Sequence, residues 1–278
     1  MNSFTTSSGS KSLYALNCSQ YAVRRFSSEE KNQIIYLRKR GKSLIQICRF
    51  LKRGKSTVYY HLRKNFGRSY KLIEINLSDQ GAVGEVMGLF ASDGSAVPQS
   101  DYQIRFHLDA NEEEYMMKFM SVLNKVFNKM PRTYKVRNSK VLIYSSKPIY
   151  GLVKEYLDWE GKKTYTIRLK SLHHSKKFLI GFLRGYFDGD GYSKRDQRLA
   201  QFITTSKNMY NHLQEILSNF NLDFYSREYH DRRENRHTAY YIFLRRLDAI
   251  KFINLVKPRN PKRVKSWARS IAWSSKLD

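Results

Sequence analysis

From residue 102 to 108 apolar and polar side chains alternate. Tyr102, Ile104, Phe106 and Leu108 interleave with Gln103, Arg105 and His107, the period of a half-buried strand. The next run, NEEEYMMKFMSVLNKVFNKM (111–130), changes to helical spacing. RTYKVRN (132–138) and KVLIYSS (140–146) then predict a hairpin, and IYGLVKEYL (149–157) a closing helix. The order recurs downstream: RLAQFITT (198–205) as strand, NMYNHLQEILSNF (208–220) as helix, DFYSREYH (223–230) and TAYYIFLRR (238–246) as strands, and LDAIKFINLV (247–256) as helix. Antiparallel sheets of this kind cover one face with helices and leave the other wet. The pattern assigns Arg105, His107, Lys135, Arg137, Gln201 and Arg227 to the wet face, where such side chains can pair with base edges in a major groove.

Each half opens with an apolar helix that ends in Asp and Gly: GEVMGLFASDG at 84–94 and GFLRGYFDGDG at 181–191. Laying Asp93 on Asp190, an offset of 97 residues, also superposes Ser78 on Ser175, Gly84 on Gly181, Gly88 on Gly185 and Gly94 on Gly191. A repeat of that length is two related half-domains, not a solenoid unit. Ser78 and Ser175 are the expected N-caps. Two glycines four apart strip one helix face of side chains at a cost of about 1 kcal/mol each. Close backbone contact between the two helices is the expected return. The helices then cross about a pseudo-twofold axis, and Asp93 and Asp190 become neighbours.

Two carboxylates at two helix C-termini, where unpaired carbonyls already concentrate negative charge, repel one another. A divalent cation resolves this. Oxygen donors from Asp93 and Asp190 and from adjoining backbone at Ser92 and Gly189 suit Mg2+ or Mn2+, with water and phosphate oxygens completing the shell. An ion so placed assists phosphodiester hydrolysis. Asp188 reads more readily as a helix-capping side chain than as a ligand.

VMGLFASDG (86–94) and LRGYFDGDG (183–191) resemble the two motif copies of the LAGLIDADG homing endonucleases in their single-chain form. The resemblance spans 77–278. Ala91 stands where the pattern has its first Asp, while Asp93, at the position of the family's metal-binding carboxylate, is retained. The implied fold is α+β: two αββαββα halves, about 77–172 and 173–278, forming a DNA-binding saddle. The implied function is site-specific, metal-dependent cleavage of both strands of duplex DNA by a monomer with internal symmetry. The family also draws on a lysine near the closing helix of each half. Lys163 and Lys262 are the expected pair, with Lys162, Lys257 and Lys265 as competitors. Two other readings use the same fold: a DNA-binding transcriptional regulator that no longer cuts, and an RNA-binding intron maturase.

Upstream, residues 26–68 divide at Gly41 and Gly54 into three short helical segments with N-cap candidates Ser28, Ser43 and Ser56. Ile34, Leu37, Leu44, Ile47, Leu51, Val58 and Leu62 can make one small core. The stretch resembles a helix-turn-helix domain. Its third segment would be the recognition helix, presenting Lys55, Ser56, Thr57, Tyr59, Tyr60 and Arg63 to a major groove. Residues 28–68 hold twelve Lys or Arg against two Glu, which suits phosphate contact. A tail at 1–25 without clear periodicity and a linker at 69–76 complete the expected organisation.

Composition agrees with this reading. A net charge of +27 implies a polyanionic partner. No apolar stretch approaches bilayer length. Two cysteines, Cys18 and Cys48, make neither a zinc site nor a disulfide framework, so an intracellular setting is the default expectation.

Overall fold

The structure is a computed structural model, and it describes residues 26–67, 73–194, 198–230 and 237–264. The expected tail at 1–25, part of the 69–76 linker and Lys265 lie outside the described residues. What is described falls into two compact units that divide between Leu62 and Arg63.

The smaller unit is helical: α1 (Ser28–Lys39), α2 (Leu44–Leu51) and the first two turns of α3 (Lys55–Phe66), within which the division falls. Ile34, Leu44, Ile47, Val58 and Leu62 are buried together, while Leu37 and Leu51 are half-buried. Ser43 caps α2 in a reciprocal capping box with Gln46. The other two cap expectations shift. Ser27, not Ser28, caps α1 in a box with Glu30, because the glutamate three residues on selects the serine it can reach back to. Ser56 lies inside α3, whose first turn is already anchored by the Gly54 carbonyl accepting from Val58.

The larger unit holds two copies of one arrangement. The first copy runs α4 (Gln80–Asp93), β1 (Gly94–Val97), β2 (Gln103–Asp109), α5 (Glu113–Phe127), β3 (Arg132–Val136), β4 (Ser139–Ser145) and α6 (Lys147–Tyr156). A short connection follows, with β5 (Leu157–Asp158), α7 (Lys163–Thr166) and β6 (Arg168–Leu169). The second copy runs α8 (Lys176–Asp190), β7 (Tyr192–Lys194), β8 (Leu199–Thr204), α9 (Lys207–Asn219), β9 (Tyr225–Tyr229), β10 (Ala239–Arg245) and α10 (Arg246–Val256), and α11 (Pro261–Val264) ends it. The sheets are antiparallel with matching orders, β1-β2-β4-β3 and β7-β8-β10-β9.

Alternation makes these sheets one-sided. Ile104, Phe106 and Leu108 of β2 point into the core against Phe119 of α5 and Phe90 of α4, and Phe202 of β8 meets Phe187 and Phe252 in the same way. Both opening helices lie in one continuous core with the sheets. Ser175 caps α8 as expected. At α4 the cap is Asp79 rather than Ser78, its carboxylate accepting from the Ala82 amide. Ser78 is instead held by the Asn76 side chain. Among the described residues no helix is long and apolar enough to cross a membrane.

Candidate active site at the ends of two paired helices

The four interface glycines lie where two backbones touch. A methyl carbon added at Gly84 would fall 2.9 Å from the Phe182 nitrogen, and one at Gly88 would fall 2.8 Å from the Tyr186 nitrogen. From the other side, a carbon at Gly181 would meet the Gly81 carbonyl carbon at 2.9 Å, and one at Gly185 the Leu89 nitrogen at 2.7 Å. A carbonyl oxygen stands closer still in every case. Any side chain here would push α4 and α8 apart, so the bare faces are what permits the pairing.

Both helices end where they converge. A methyl carbon at Gly189 would come 2.7 Å from the Asp93 carboxylate and closer to the Ser92 hydroxyl. The glycine between the last two aspartates therefore lets the second helix end against the first. Asp93 feels the charge of Asp190. Burial first, and then Asp190, push the Asp93 carboxyl up to about 7, against the opposing pull of Lys163 and Arg263. Burial likewise raises Asp190, offset by the same two cations.

Lys163 lies against the end of α4. From the start of α7 its Nζ donates to the carbonyls of Phe90 (2.8 Å), Ala91 (2.7 Å) and Ser92 (3.2 Å), the last carbonyls of α4, of which that of Phe90 also accepts from the Gly94 amide. Burial lowers its ammonium to about 8, although both aspartates favour the charged form. The counterpart in the second half is not Lys262. Arg263 donates to the Gly189 carbonyl at 2.8 Å, and Gly189 and Ser92 share one position of the 97-residue repeat. Lys262, one residue back on α11, projects elsewhere and binds Asp109 (2.8 Å) and Glu112 (2.9 Å). Of the competitors, Lys162 is exposed ahead of α7 and Lys257 caps α10 in the left-handed region.

Asp188 is a structural anchor. Its carboxylate accepts from the Arg259 amide (3.0 and 3.1 Å) and from the Asn260 amide (3.0 Å). Burial dominates those hydrogen bonds and raises it to about 7. Asn260 then donates to Glu112 at 3.2 Å, which ties the tail of the second half to the start of α5. Glu85, buried in α4, is flanked by Arg184 (2.9 Å) and Arg259 (2.8 Å). Beside Asp93 opens a polar cavity of about 480 Å³ bordered by His107, Glu112, Tyr115, Asn138, Asn260 and Arg263. Burial, with Arg105 and Lys163, holds the His107 ring below its ordinary pKa. Sequence reasoning missed Arg263, Glu85 and Glu112, and no local pattern marks any of them.

The sheet residues divide. Arg105 and His107 stand on the outer face as expected, with Arg105 held by Gln103 at 2.7 and 3.0 Å. Arg227 is exposed on the outer face of the second sheet. Gln201 has the right register but is buried beneath its cross-strand neighbours Tyr192 and Phe243. Lys135 is on the opposite face: it pairs with Lys140, which reaches Glu113 of the covering helix α5. Arg137 lies past the end of β3, in the hairpin turn with φ +52°. Tyr134 and Arg132, one and three positions before Lys135, occupy the outer face. On α3, Lys55, Ser56, Thr57, Tyr60 and Arg63 are exposed and Tyr59 is half-buried.

Residues 177–257 match the family profile described as a LAGLIDADG-like domain. No curated protein sequence matches the chain. Solved structures similar to it include I-DmoI in complex with DNA and Mn (15% identity, TM-score 0.47, covering 64% of this chain and 97% of that one). I-WcaI bound to its DNA recognition sequence is similar at 15% identity and TM-score 0.46, covering 67% and 85%. Full-length DUF199/WhiA from Thermatoga maritima is similar at 11% identity and TM-score 0.45, covering 69% and 61%. With its two αββαββα copies about a paired-helix seam, the larger unit has the LAGLIDADG arrangement.

Proposed function

We propose that this chain is a site-specific, metal-dependent endonuclease of the homing type that hydrolyses both strands of duplex DNA. The observation that carries the reading is the meeting of Asp93 and Asp190 at the ends of two helices, each end capped by a cationic side chain, Lys163 or Arg263. Two desolvated carboxylates, with the proton affinity of Asp93 raised further by Asp190, concentrate negative charge that divalent cations fit. Among the described residues no group of three or more His, Cys, Asp or Glu could enclose an ion, so water and phosphate would supply most of a shell. The carbonyls of Ser92 and Gly189 already accept from Lys163 and Arg263. This leaves the two carboxylates as the principal protein donors. When bound, Mg2+ or Mn2+ would acidify water and offset charge on the phosphodiester.

The chain's own groups do the rest. Lys163 and Arg263 set positive charge beside the carboxylates; Lys163, its three donors engaged by carbonyls, acts through its field, while Arg263 can also hold a phosphate oxygen. The outer faces of the sheets hold the duplex, α3 adds a second contact as a helix-turn-helix reader, and the protein works as an intracellular monomer. Incubation with randomised duplex libraries and Mg2+, with sequencing of the ends produced, is the test. Double-strand breaks at a defined site, lost in Asp93→Asn and Asp190→Asn, are expected. Tight duplex binding without breaks in any divalent ion would overturn cleavage and leave a regulator; preference for structured RNA would leave a maturase.

A further inference from the structure

The repeat allows the two outer sheet faces to be compared position by position. Gly94 pairs with Phe106 in the first sheet, and Tyr192, one residue past its counterpart Gly191, pairs with Gln201 in the second. Arg105 and Gln201 therefore hold the same place, and so do His107 and Ile203, and Gln103 and Leu199. On the next strand Val141 corresponds to Tyr241 and Ile143 to Phe243. On the edge strand Arg132 corresponds to Tyr225 and Val136 to Tyr229.

Along the central strand and most of the neighbouring positions the second face is the more apolar; Tyr134, whose place Arg227 takes, and Ser145, whose place Arg245 takes, run the other way. The middle of the first face is a row of hydrogen-bonding side chains, with Arg105 already braced by Gln103. The middle of the second is Leu199, Gln201 and Ile203, with the Gln201 amide covered. Beside it lies an aromatic ladder: Tyr225 and Phe243 stack at 6.0 Å, and Phe243 and Tyr241 at 5.9 Å and within 6° of parallel. The Arg245 guanidinium lies over two of these rings. Tyr192, Tyr225 and Tyr229 are 43%, 56% and 48% exposed. An aromatic surface left open to water on so basic a chain, with Arg227 and Arg245 among the rings, suits a polyanion that also offers apolar groups.

In a major groove the apolar group on a base edge is the thymine 5-methyl. We propose that the second sheet reads its half of the target through contacts to thymine methyls, while the first sheet reads the other half through hydrogen bonds, so that the target has two chemically unlike halves. This deepens the duplex-cleavage reading and rests on it.

The test uses the full-length Asp93→Asn/Asp190→Asn variant. Its target is first selected from a duplex library, and uracil then replaces thymine in one half-site at a time. Removing the methyls from the half that Phe243→Ala weakens should cost about tenfold or more in affinity, on the scale of one lost specific base contact. The same change in the half that Arg105→Ala weakens should cost less than about twofold. Phe243→Ala should also abolish the uracil penalty, with its fold checked by thermal melting. Equal penalties in the two halves, or none in either, would overturn the proposal while leaving duplex recognition intact. Failure to select any duplex would overturn both, and that result appears at the selection step before any uracil is introduced.

Discussion

In the first half the last turn of the opening helix carries Ala91 and is finished from outside by Lys163, whose ammonium bonds three carbonyls. In the second half the last turn carries Asp188 and reaches outward itself, taking two backbone amides of the following tail, while Arg263 takes one carbonyl. Both arrangements bring a cation beside a paired aspartate. One half lends the helix a side chain, and the other lends the helix a loop. The repeat thus preserves the charge pattern at the site, while the scaffold that delivers it differs between the copies.

The seam glycines should be the harshest test, since there the halves are alike. Gly88→Ala and Gly185→Ala are each expected to destabilise by about 3 kcal/mol or more, because backbone rather than a flexible side chain blocks the new carbon. Urea melts measure this. A cost below about 1 kcal/mol at either position would show that the helices can separate.

Removing a cation tests whether the two ends are functionally matched. Lys163→Met and Arg263→Met should each slow cleavage about a hundredfold, the usual cost of one preorganised donor to developing charge. Lys262→Met, which removes a partner of Asp109 and Glu112, should slow it less than about threefold. Strand-resolved cleavage kinetics give the answer, and a dominant Lys262 effect would restore the sequence expectation.

Asp188 tests the loop side. Asp188→Ala orphans the amides of Arg259 and Asn260 and should cost about 2–3 kcal/mol. Asp188→Asn keeps an acceptor and should cost less.

A smaller effect concerns pH. The carboxyls of Asp93 and Asp188, at about 7 in the fold, keep protons that the unfolded chain releases near pH 4. The folded state then binds more protons between those values, so stability is highest at the acidic end and falls as pH rises from about 4 to 7. Asp93→Asn should recover about 1–2 kcal/mol at pH 8 relative to pH 5. Mg2+ should raise the melting temperature of the parent at pH 8 and not that of the variant. Thermal melts at the two pH values decide both points.

Much of the larger unit was legible because its signals are local and repeated. Alternation in 102–108 sets the faces of that strand, and the spacing of Gly84, Gly88, Gly181 and Gly185 announces the seam. What escaped depends on partners distant in sequence. All five residues of β3 are exposed, so no alternation distinguishes Lys135 from Tyr134, and the face is set only by register with β4. The tail after α10 is crowded with cations, and the one-residue choice between Lys262 and Arg263 is made by the direction each side chain takes from α11. The caps at Ser27 and Asp79 stand beside equally plausible serines, which chain geometry alone separates.

At its four glycines the seam between the opening helices recognises main-chain atoms, and every residue type carries the same main-chain atoms. Substitutions on the sheets therefore leave the join untouched. A half redesigned for another DNA should still marry its unaltered sister, provided its two bare positions stay bare.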